Sequence, residues 1–458
     1  MGSINKQIRV FANRVLQNRM FSRSGAEQSR THLRELLEGS STAFIYKVIG
    51  LVIGYVFTLL VTRTLGADAM GVFALSVTVL NIFAVVGRFG FDLVLLRFVA
   101  EYASQGRMDL AKEVYLRSVK VVVPLCLSLS VLLFFLSPII AEYVFRKEHF
   151  STWLKIVSFA VLPMGLISMN AESLRGLKKI KEYAFLTEMS ISLFAVVLLM
   201  VLLPFAGNMY TPLIAYSLGL ILVFILSQIM WLRNSKVKSV PCKNTIGLKS
   251  ILNVSVPMFL SSSLFLVMGW TDTIMLGIFR TEGDVGIYNV SVRIATVTSV
   301  TLFAINTIAA PKFAELYSKG DIKKLRDVVS QSSKLMFWGA FPVLLVIFLF
   351  PSFILGVFGD EFKAGTLSLL LLTFGQFINV MSGSVGYILQ MTGKQKPFHY
   401  IIFIATLINI ALNAALIPVY GMSGAAFASM VSMIFWNVVS MLYIRSYTNI
   451  TTFYFPGL

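Results

Sequence analysis

Long apolar stretches separated by short polar segments recur along the whole chain. Each apolar stretch is about 20 residues long, the length that a helix needs to cross a hydrocarbon core of about 30 Å. The strict alternation typical of membrane β-strands does not occur in these stretches, so the pattern predicts helices. Twelve spans are predicted: Ser41–Val61, Gly71–Leu95, Val119–Leu136, Trp153–Ala171, Phe185–Leu203, Pro212–Leu232, Ile251–Ile278, Gly286–Ala309, Leu335–Gly356, Thr366–Gln390, Tyr400–Ile417 and Met422–Tyr443.

Composition also indicates a membrane protein. The chain of 458 residues is 57% hydrophobic and only 13% charged, and its mean hydropathy is +0.81. A water-soluble domain of this length needs more charge on its surface. The two cysteines, Cys126 and Cys242, lie far apart and give neither a metal-binding spacing nor a disulfide framework. We therefore expect an all-α polytopic membrane protein with no metal or cofactor.

The basic residues are distributed unevenly between the loops. Every second loop lies on the same side of the membrane, so the loops and tails form two sets. Of the 39 lysines and arginines, thirty fall in the set that includes the N-terminal tail, and five fall in the other set. Positive charge stays on the cytoplasmic side of a membrane, so both termini are predicted to be cytoplasmic and the span count even. The net charge of +18 is mostly this topology signal and does not indicate nucleic-acid binding.

The spans and the loops between them divide the chain into five segments. The first segment is either an amphipathic helix lying on an anionic leaflet or a frayed basic tail, and it carries no secretory cleavage signal. The predicted segments are a basic cytoplasmic N-terminal segment (1–40), an N-lobe of spans one to six (41–232), a basic cytoplasmic linker (233–250), a C-lobe of spans seven to twelve (251–445) and a cytoplasmic tail (446–458).

The two predicted lobes are copies of one unit. The heptapeptide at 71–77, "GVFALSV", recurs as "GIYNVSV" at 286–292, and "AEYASQG" at 100–106 recurs as "AELYSKG" at 314–320. Each copy has six spans, so both run in the same direction, and a pseudo-twofold axis is expected along the membrane normal. Such a pair of lobes around a central cavity is the arrangement of a transporter.

Four ionisable side chains at membrane depth are candidate site residues. A charge at bilayer depth costs at least about 2.5–3.5 kcal/mol, so each requires a partner, a watery cavity or a route to the surface. Lys47 and Arg88 lie at one level of the N-lobe, roughly 10 Å from its cytoplasmic end. We expect them to line an inward-open cavity and to bind a phosphate, for which the planar fork of arginine is well suited. In the C-lobe, Asp272 and Arg293 lie at one level near the outer end.

Each functional interpretation has a structural alternative. Arg88 and Asp92 have the i, i+4 spacing of an ion pair along one helix. Asp272 and Arg293 either form a salt bridge that pins two helices or form a gate, in which Asp272 exchanges partners or takes up a cation. Neutral polar residues at membrane depth either join helices or bind sugar hydroxyls; they are Asn306, Gln376, Asn379, Gln390, Asn409, Asn413 and Asn437.

Sequence motifs of enzymes are missing. The chain has no GxxxxGK[ST] phosphate loop and no histidine pair at a metal-binding spacing, and the predicted outer loops are too short for a catalytic domain. We therefore expect a protein that is not an enzyme.

Several stretches resemble the polysaccharide-transporter branch of the multidrug/oligosaccharidyl-lipid/polysaccharide (MOP) exporter superfamily, the Wzx-type flippases. They are "TRTLGADAMGVFALSV" (62–77), "GFDLVLLRFVAEY" (90–102), "DTIMLGIFRTEGDVGIYNVSVRI" (272–294) and "PKFAELYSKGD" (311–321). The resemblance covers about residues 41–445. It implies the MATE-like fold of two six-helix lobes, with spans one, two, seven and eight lining the cavity.

The resemblance also implies a function. The cargo would be an isoprenoid diphosphate-linked oligosaccharide, such as an O-antigen repeat unit, moved from the inner to the outer leaflet of the cell membrane. Transport would proceed by alternating access driven by H⁺, Na⁺ or the membrane potential, beside glycan polymerase or glycosyltransferase partners. Lys47, Arg88 and Arg293 would bind substrate and Asp272 would couple or gate, with Asp92, Arg63, Arg280 and Asn306 as secondary candidates.

Three other functions remain open from the sequence. A MATE-type drug antiporter shares the fold but would favour acidic residues in its cavity, whereas this chain has more basic than acidic candidates within its spans. A membrane glycan polymerase or ligase would need a long outer loop. A lipid scramblase or scaffold would show no coupling to an ion gradient.

Overall fold

The computed structural model describes residues 2–147, 149–235 and 247–456. Helices make up most of these residues, and no strand occurs among them. The described backbone is helical from Gly2 onward. The side chains of residues 1–41 and the linker residues 236–246 lie outside the described part, so the two interpretations of the N-terminal segment stay predictions.

The first half of the chain forms eight α-helices. A π-helical turn extends α3 (Ile140–Val144), and another joins α6 to α7 (Phe185–Ser190). The α-helices are α1 (Gly2–Arg88), α2 (Phe91–Ser104), α3 (Met108–Ile139), α4 (Phe150–Ser158), α5 (Val161–Gly176), α6 (Ile180–Ala184), α7 (Ile191–Leu202) and α8 (Thr211–Asn234).

The second half also forms eight α-helices. One 3₁₀ turn joins α10 to α11 (Thr296–Thr298), and another precedes α14 (Asp360–Gly365). The α-helices are α9 (Leu248–Phe279), α10 (Glu282–Ala295), α11 (Ser299–Ser318), α12 (Ile322–Leu349), α13 (Pro351–Gly356), α14 (Thr366–Ser382), α15 (Val385–Met391) and α16 (Gln395–Thr448).

The protein is a multi-span membrane protein. Within the described residues, eight helices are long and apolar enough to cross a membrane, or nine if the bent pair α4–α5 counts as one more span. Two of the eight are far longer than one crossing requires, with 47 residues at Thr42–Arg88 and 54 at Gln395–Thr448. Each contains a kink at a glycine in the left-handed region, Gly66 (φ 82°) and Gly421 (φ 57°). Glycine adopts this conformation without a steric penalty.

In several predicted spans the helix is broken or bent. The second breaks at Phe89 and Gly90, both with positive φ. The fourth bends by 42° between α4 and α5. The tenth breaks at Gly383 (φ 71°), between α14 and α15. These breaks expose backbone polar groups, which inside a membrane protein are tolerated where they are covered by protein or line a cavity.

The halves of the chain meet mainly where α1 packs against α10. Gly71 on α1 and Gly286 on α10 lie at this contact: a Cβ on Gly71 would be 1.7 Å from the carbonyl oxygen of Glu282, and one on Gly286 would be 2.1 Å from that of Ala67. The two backbones therefore touch. Gly71 and Gly286 hold the same position in the two sequence repeats.

Candidate functional site

Lys47 stands at a cavity of about 420 Å³. Its ammonium lies 4.2 Å from the centre of the Phe303 ring and 3.4 Å from Glu188 Oε2. Both side chains of the ion pair are 28% exposed. The other lining residues come from α11, α14, α15 and α16, so Lys47 faces the second half of the chain.

The side chains that line this cavity beyond Lys47 are neutral. Three carry amides, Asn306, Asn379 and Gln390, and two of the aromatic residues are Tyr387 and Trp436. Asn306 Oδ1 accepts a hydrogen bond of 2.5 Å from the Ser384 hydroxyl. None of the described lining residues is acidic. Apart from the Lys47–Glu188 ion pair at its edge, the described lining therefore offers uncharged groups.

Glu188 is a site residue that the sequence predictions missed. It lies in the π-helical turn Phe185–Ser190, which packs tightly on α1, since a Cβ on Gly50 would be 1.8 Å from the Glu188 carbonyl oxygen. Such π-helical turns occur often at functional sites. The signal available in the sequence was an acidic residue near the start of the predicted fifth span.

Arg88 binds partners within the first half of the chain. Its Nε lies 3.1 Å from Asp92 Oδ2, and its Nη1 donates a hydrogen bond of 2.6 Å to Ser168 Oγ. The predicted ion pair is thus formed, although the helix breaks between its two residues at Phe89 and Gly90. The partners of Arg88 differ from those of Lys47, and the described contacts do not bring the two cations together.

Arg293 joins α10 to α1. Its Nη1 donates to Thr58 Oγ1 at 2.9 Å and its Nε to Asn289 Oδ1 at 3.3 Å. Its backbone carbonyl accepts a hydrogen bond of 2.6 Å from the Tyr55 hydroxyl. These contacts cross between the halves of the chain next to the α1–α10 packing.

Of the two alternatives for Asp272 and Arg293, the salt bridge is wrong, because each side chain binds other partners. The Asp272 side chain is buried among neutral donors, where Oδ2 accepts from the Tyr288 hydroxyl at 2.5 Å and from the Ser429 hydroxyl. Oδ1 accepts from Asn413 Nδ2 at 2.6 Å and Asn409 Nδ2 at 3.2 Å. Hydrogen bonds donated from four sides stabilise a buried carboxylate. Asp272 therefore links α9, α10 and both parts of the kinked α16.

The secondary candidates Arg63 and Arg280 bind backbone carbonyls at the end of the molecule that contains the two kinks. Arg63 donates to the carbonyls of Val357 (2.7 Å) and Gly356 (3.3 Å). Arg280 donates to the carbonyls that close the first part of α16; they belong to Ile417 (3.1 Å) and Pro418 (2.8 Å). Cations at helix C-termini stabilise them, so both arginines hold helix ends in place.

Two further contacts between the halves lie at this same end. The backbone N–H of Ala67 donates a hydrogen bond of 2.7 Å to Glu361 Oε1, and Lys147 Nζ lies 3.4 Å from Glu282 Oε1. Within the described ranges, no group of three or more His, Cys, Asp or Glu residues could hold a metal ion.

Comparison with known proteins shows which family this sequence matches. The sequence model described as polysaccharide biosynthesis protein matches residues 36–317, and the MatE model matches residues 257–415. One similar protein is the "Probable low-salt glycan biosynthesis flippase Agl15" of Haloferax volcanii, which is 24% identical over 91% of this chain and 85% of its own length. Another is the teichuronic acid biosynthesis protein TuaB of Bacillus subtilis, 26% identical over 63% of this chain and 59% of its own.

Solved structures share the fold. The lipid II flippase MurJ in an inward closed conformation gives a TM-score of 0.71 at 14% identity, covering 89% of this chain and 87% of MurJ. An inward-facing MATE multidrug transporter of the MOP superfamily gives 0.71 at 14%, covering 89% of this chain and 98% of that one. At such identity the likeness shows the fold alone. Because the match to the polysaccharide biosynthesis protein model spans more than half of the chain, this protein belongs to that family.

Proposed function

We propose that this protein is a flippase, a transporter rather than an enzyme, that moves isoprenoid diphosphate-linked oligosaccharides from the inner to the outer leaflet. Two similar proteins, a probable glycan biosynthesis flippase and a teichuronic acid biosynthesis protein, support this proposal. The observation that carries it is the Lys47 cavity. One cation beside neutral amides and aromatic rings, with no acid among the described lining residues, suits an anionic headgroup that bears sugars.

The architecture that we propose has twelve transmembrane helices in two six-helix lobes. Dividing α1 at Gly66 and α16 at Gly421 turns eight apolar helices into ten, and the bent pair α4–α5 and helix α9 bring the number to twelve. Helices α1–α8 then form the N-lobe and α9–α16 the C-lobe. With the basic loops inside, both termini are cytoplasmic and the protein resides in the cytoplasmic membrane.

Alternating access follows from this arrangement. The end that contains Gly66 and Gly421 is the outer end. There the lobes are held together by the Gly71–Gly286 contact and by the hydrogen bond from the Ala67 N–H to Glu361. The Lys47 cavity lies toward the cytoplasmic end. The lobes are thus closed outside, as in an inward-facing state. Transport requires the outer contacts to separate while the cavity closes.

Among the three candidate cations, Lys47 is the best placed to receive the diphosphate. Its ion pair with Glu188 is long and partly exposed, and such pairs contribute only about 0–1 kcal/mol. Arg88 and Arg293 hold Asp92 and Thr58, respectively, in shorter contacts. They contact substrate only after exchanging these partners during transport.

Asp272 is the residue that we assign to cation coupling or gating. Its carboxylate is surrounded by hydroxyl and amide groups on α10 and α16, and carboxylate, hydroxyl and amide oxygen atoms are ligands for hard cations. Asn413 Oδ1 is buried beside it without a hydrogen-bond partner among the described residues. A proton or Na⁺ at this position would change the packing of both parts of α16 on α9.

The second candidate, a cation-coupled drug antiporter, rests on the fold shared with MATE transporters. The charge of the cavity separates the two functions. A cavity for organic cations is expected to present carboxylates, whereas the described lining of this one presents Lys47 and amides.

Transport by purified protein in proteoliposomes tests the proposal. A fluorescent polyprenyl diphosphate-linked oligosaccharide should move between the leaflets of these vesicles faster than in protein-free vesicles. The rate is measured with an impermeant reductant, which quenches the fluorescence of the labelled lipid in the outer leaflet. Lys47→Ala should slow the crossing by about tenfold, the effect of losing one charge-assisted contact. Lys155→Ala is the matched control, because Lys155 lies near the Phe134 ring and away from the cavity.

Two outcomes would contradict the proposal. One is a wild-type rate equal to that of empty vesicles, with Lys47→Ala as active as Lys155→Ala. The other is gradient-driven transport of a quaternary ammonium dye, which would favour the antiporter.

A further inference from the structure

The chain that follows α16 turns back onto the helices of the second half. Asn449 ends α16 in the left-handed region (φ 55°), and residues 449–455 form no helix. They belong to the part that the sequence predicts as a cytoplasmic tail. Building on the proposed alternating access, we propose that residues 449–455 act as a strap. The strap holds the break between α14 and α15 while the Lys47 cavity is open to the inside, and it leaves this break when the cavity closes.

The strap is anchored along α12. At its start, the Asn449 carbonyl oxygen accepts a hydrogen bond of 3.1 Å from Arg326 Nη2. At its far end, two rings pack on Phe337, with ring centres 5.6 Å away for Tyr454 and 6.2 Å away for Phe455. Arg326 and Phe337 are eleven residues apart on α12, so the strap follows this helix for about 16 Å.

Burial alternates along the strap. Ile450 and Thr452 are each 1% exposed, whereas Thr451 between them is exposed. Ile450 lies in a hydrophobic cluster that also contains Phe313 and Leu325. This alternation is the pattern of an extended segment with one face against the protein. The strap is therefore packed into the second half of the chain.

The strap contacts the helix break that forms part of the cavity wall. The backbone N–H of Tyr454 donates a hydrogen bond of 2.9 Å to the carbonyl oxygen of Met381, near the end of α14. The Thr452 carbonyl oxygen lies 3.3 Å from the position that a Cβ on Gly383 would take. Gly383 and its neighbour Ser384 also line the cavity. The strap and the cavity thus meet at the same break.

The break has the properties of a hinge. Gly383 has a φ of 71° and ends α14, and a hinge absorbs changes of backbone angle at a few such residues. The last carbonyl groups of a helix have no partner within it, and the Tyr454 N–H supplies one for Met381. Bending at Gly383 would move the Met381 carbonyl relative to α12. The hydrogen bond from the strap therefore stabilises one position of the hinge.

One group of the strap opposes its docking. The Thr452 hydroxyl is buried and has no hydrogen-bond partner among the described residues. Burying a hydroxyl without a hydrogen bond costs free energy, whereas the ring contacts with Phe337 favour docking. These opposing contributions bring the docked and released states closer in free energy, as a strap that leaves α12 in each cycle requires.

Two substitutions should shift the strap in opposite directions. Thr452→Val removes the unpaired hydroxyl and nearly keeps the side-chain volume, so it should hold the strap more tightly. Tyr454→Ala removes a ring that packs on Phe337, so it should release the strap. The readout is hydrogen–deuterium exchange of residues 449–456 in nanodisc-embedded protein, corrected for the intrinsic rate of each sequence. Exchange should be about tenfold slower than wild type in Thr452→Val and about tenfold faster in Tyr454→Ala.

A second readout tests whether the strap is coupled to the transport cycle. Spin labels at the exposed positions Thr64 and Asp360 report the distance between the halves at the outer end. Because the docked strap belongs to the state that is closed outside, Tyr454→Ala should raise the ratio of long to short distances. Thr452→Val should lower it, each by up to about tenfold.

Each substitution has a matched control. Thr451→Val removes the hydroxyl of the exposed neighbour of Thr452. Tyr400→Ala removes a ring on α16 that is 70% exposed. Neither control should change the exchange of residues 449–456 or the distances at the outer end.

Three results would overturn the strap. Exchange equal to that of the controls would show that these contacts do not hold the segment. Faster exchange in Thr452→Val would show that the hydroxyl favours docking. Changed exchange with unchanged distances would make the segment a structural staple without a part in the cycle. All three leave the flippase proposal standing, because lipid crossing in proteoliposomes tests that proposal separately.

Discussion

At the scale of single residues, the charges inside the membrane differ in what they contact. Lys47 has a partly exposed carboxylate partner and an open cavity. Arg88 is held by Asp92 and Ser168. Asp272 is surrounded by neutral donors and has no cationic partner among the described residues. Four neutral donors stabilise the Asp272 carboxylate without a counter-ion, which is why we propose it as the group that a coupling cation would neutralise.

Asp272→Asn should make transport insensitive to an imposed H⁺ or Na⁺ gradient. The substitution removes the charge that a cation would neutralise and keeps the volume of the side chain. The measurement is the rate of lipid crossing in proteoliposomes with and without each gradient. Asp327→Asn, which changes an exposed carboxylate, is the control. A gradient dependence equal to wild type in Asp272→Asn would make Asp272 a structural residue only.

The sequence predicted one partner of a site residue, Asp92 for Arg88, and missed the partners of the others. Counting residues from the span ends placed Asp272 and Arg293 at one level, yet their side chains bond to different helices. Depth follows from the rise per residue, whereas the direction of a side chain depends on how each helix is rotated and on its neighbours. For the same reason the sequence did not indicate Thr58 as a partner for Arg293.

At the scale of elements, the apolar pattern predicted where helices lie and missed where they break. The predicted spans lie in helical segments, but the first and most of the second share α1, and the last two share α16. The breaks at Phe89–Gly90 and at Gly383 each fall inside a single predicted span. Hydropathy reflects the free energy of moving a side chain into lipid. It carries no information on backbone dihedral angles, which here depend on the packing of neighbouring helices.

Gly286→Ala should shift the protein toward a state that is open at the outer end. The new Cβ would lie 2.1 Å from the Ala67 carbonyl oxygen, and overpacking of this kind costs about 1–3 kcal/mol in the closed state alone. Spin labels at the exposed positions Thr64 and Asp360, measured by pulsed electron resonance, should show longer distances. Gly269→Ala is the control, because a Cβ there meets nothing within 4 Å. Equal distances in both variants would contradict this role of the contact.

At the scale of the whole molecule, the two ends differ. At one end the backbones of the two halves touch, the Ala67 N–H donates a hydrogen bond to Glu361, and Lys147 forms an ion pair with Glu282. The other end has the cavity at Lys47. A transporter that uses one cavity for both leaflets has to open the end where the halves touch and close the end where the cavity is open.

A cross-link at the closed end should stop transport without stopping binding. A Cβ on Gly283 would lie 2.8 Å from Asp68 Oδ1, so the pair Asp68→Cys and Gly283→Cys is close enough for a disulfide. In a Cys242→Ser background, oxidation should abolish lipid crossing, reduction should restore it, and the affinity for the polyprenyl diphosphate should not change. The controls are the two variants that carry only one of the introduced cysteines; buried Cys126 is present in all of them. Continued crossing by the fully oxidised pair would show that this end need not open.

The touching glycines at positions 71 and 286 leave the contact between α1 and α10 without room for adjustment. At either position the first carbon of a side chain would meet a carbonyl oxygen of the opposite helix, that of Glu282 at position 71 and that of Ala67 at position 286. A compensating substitution elsewhere can shorten a side chain but cannot remove a backbone oxygen. We therefore expect only glycine to be accepted at both positions while the two helices keep this distance.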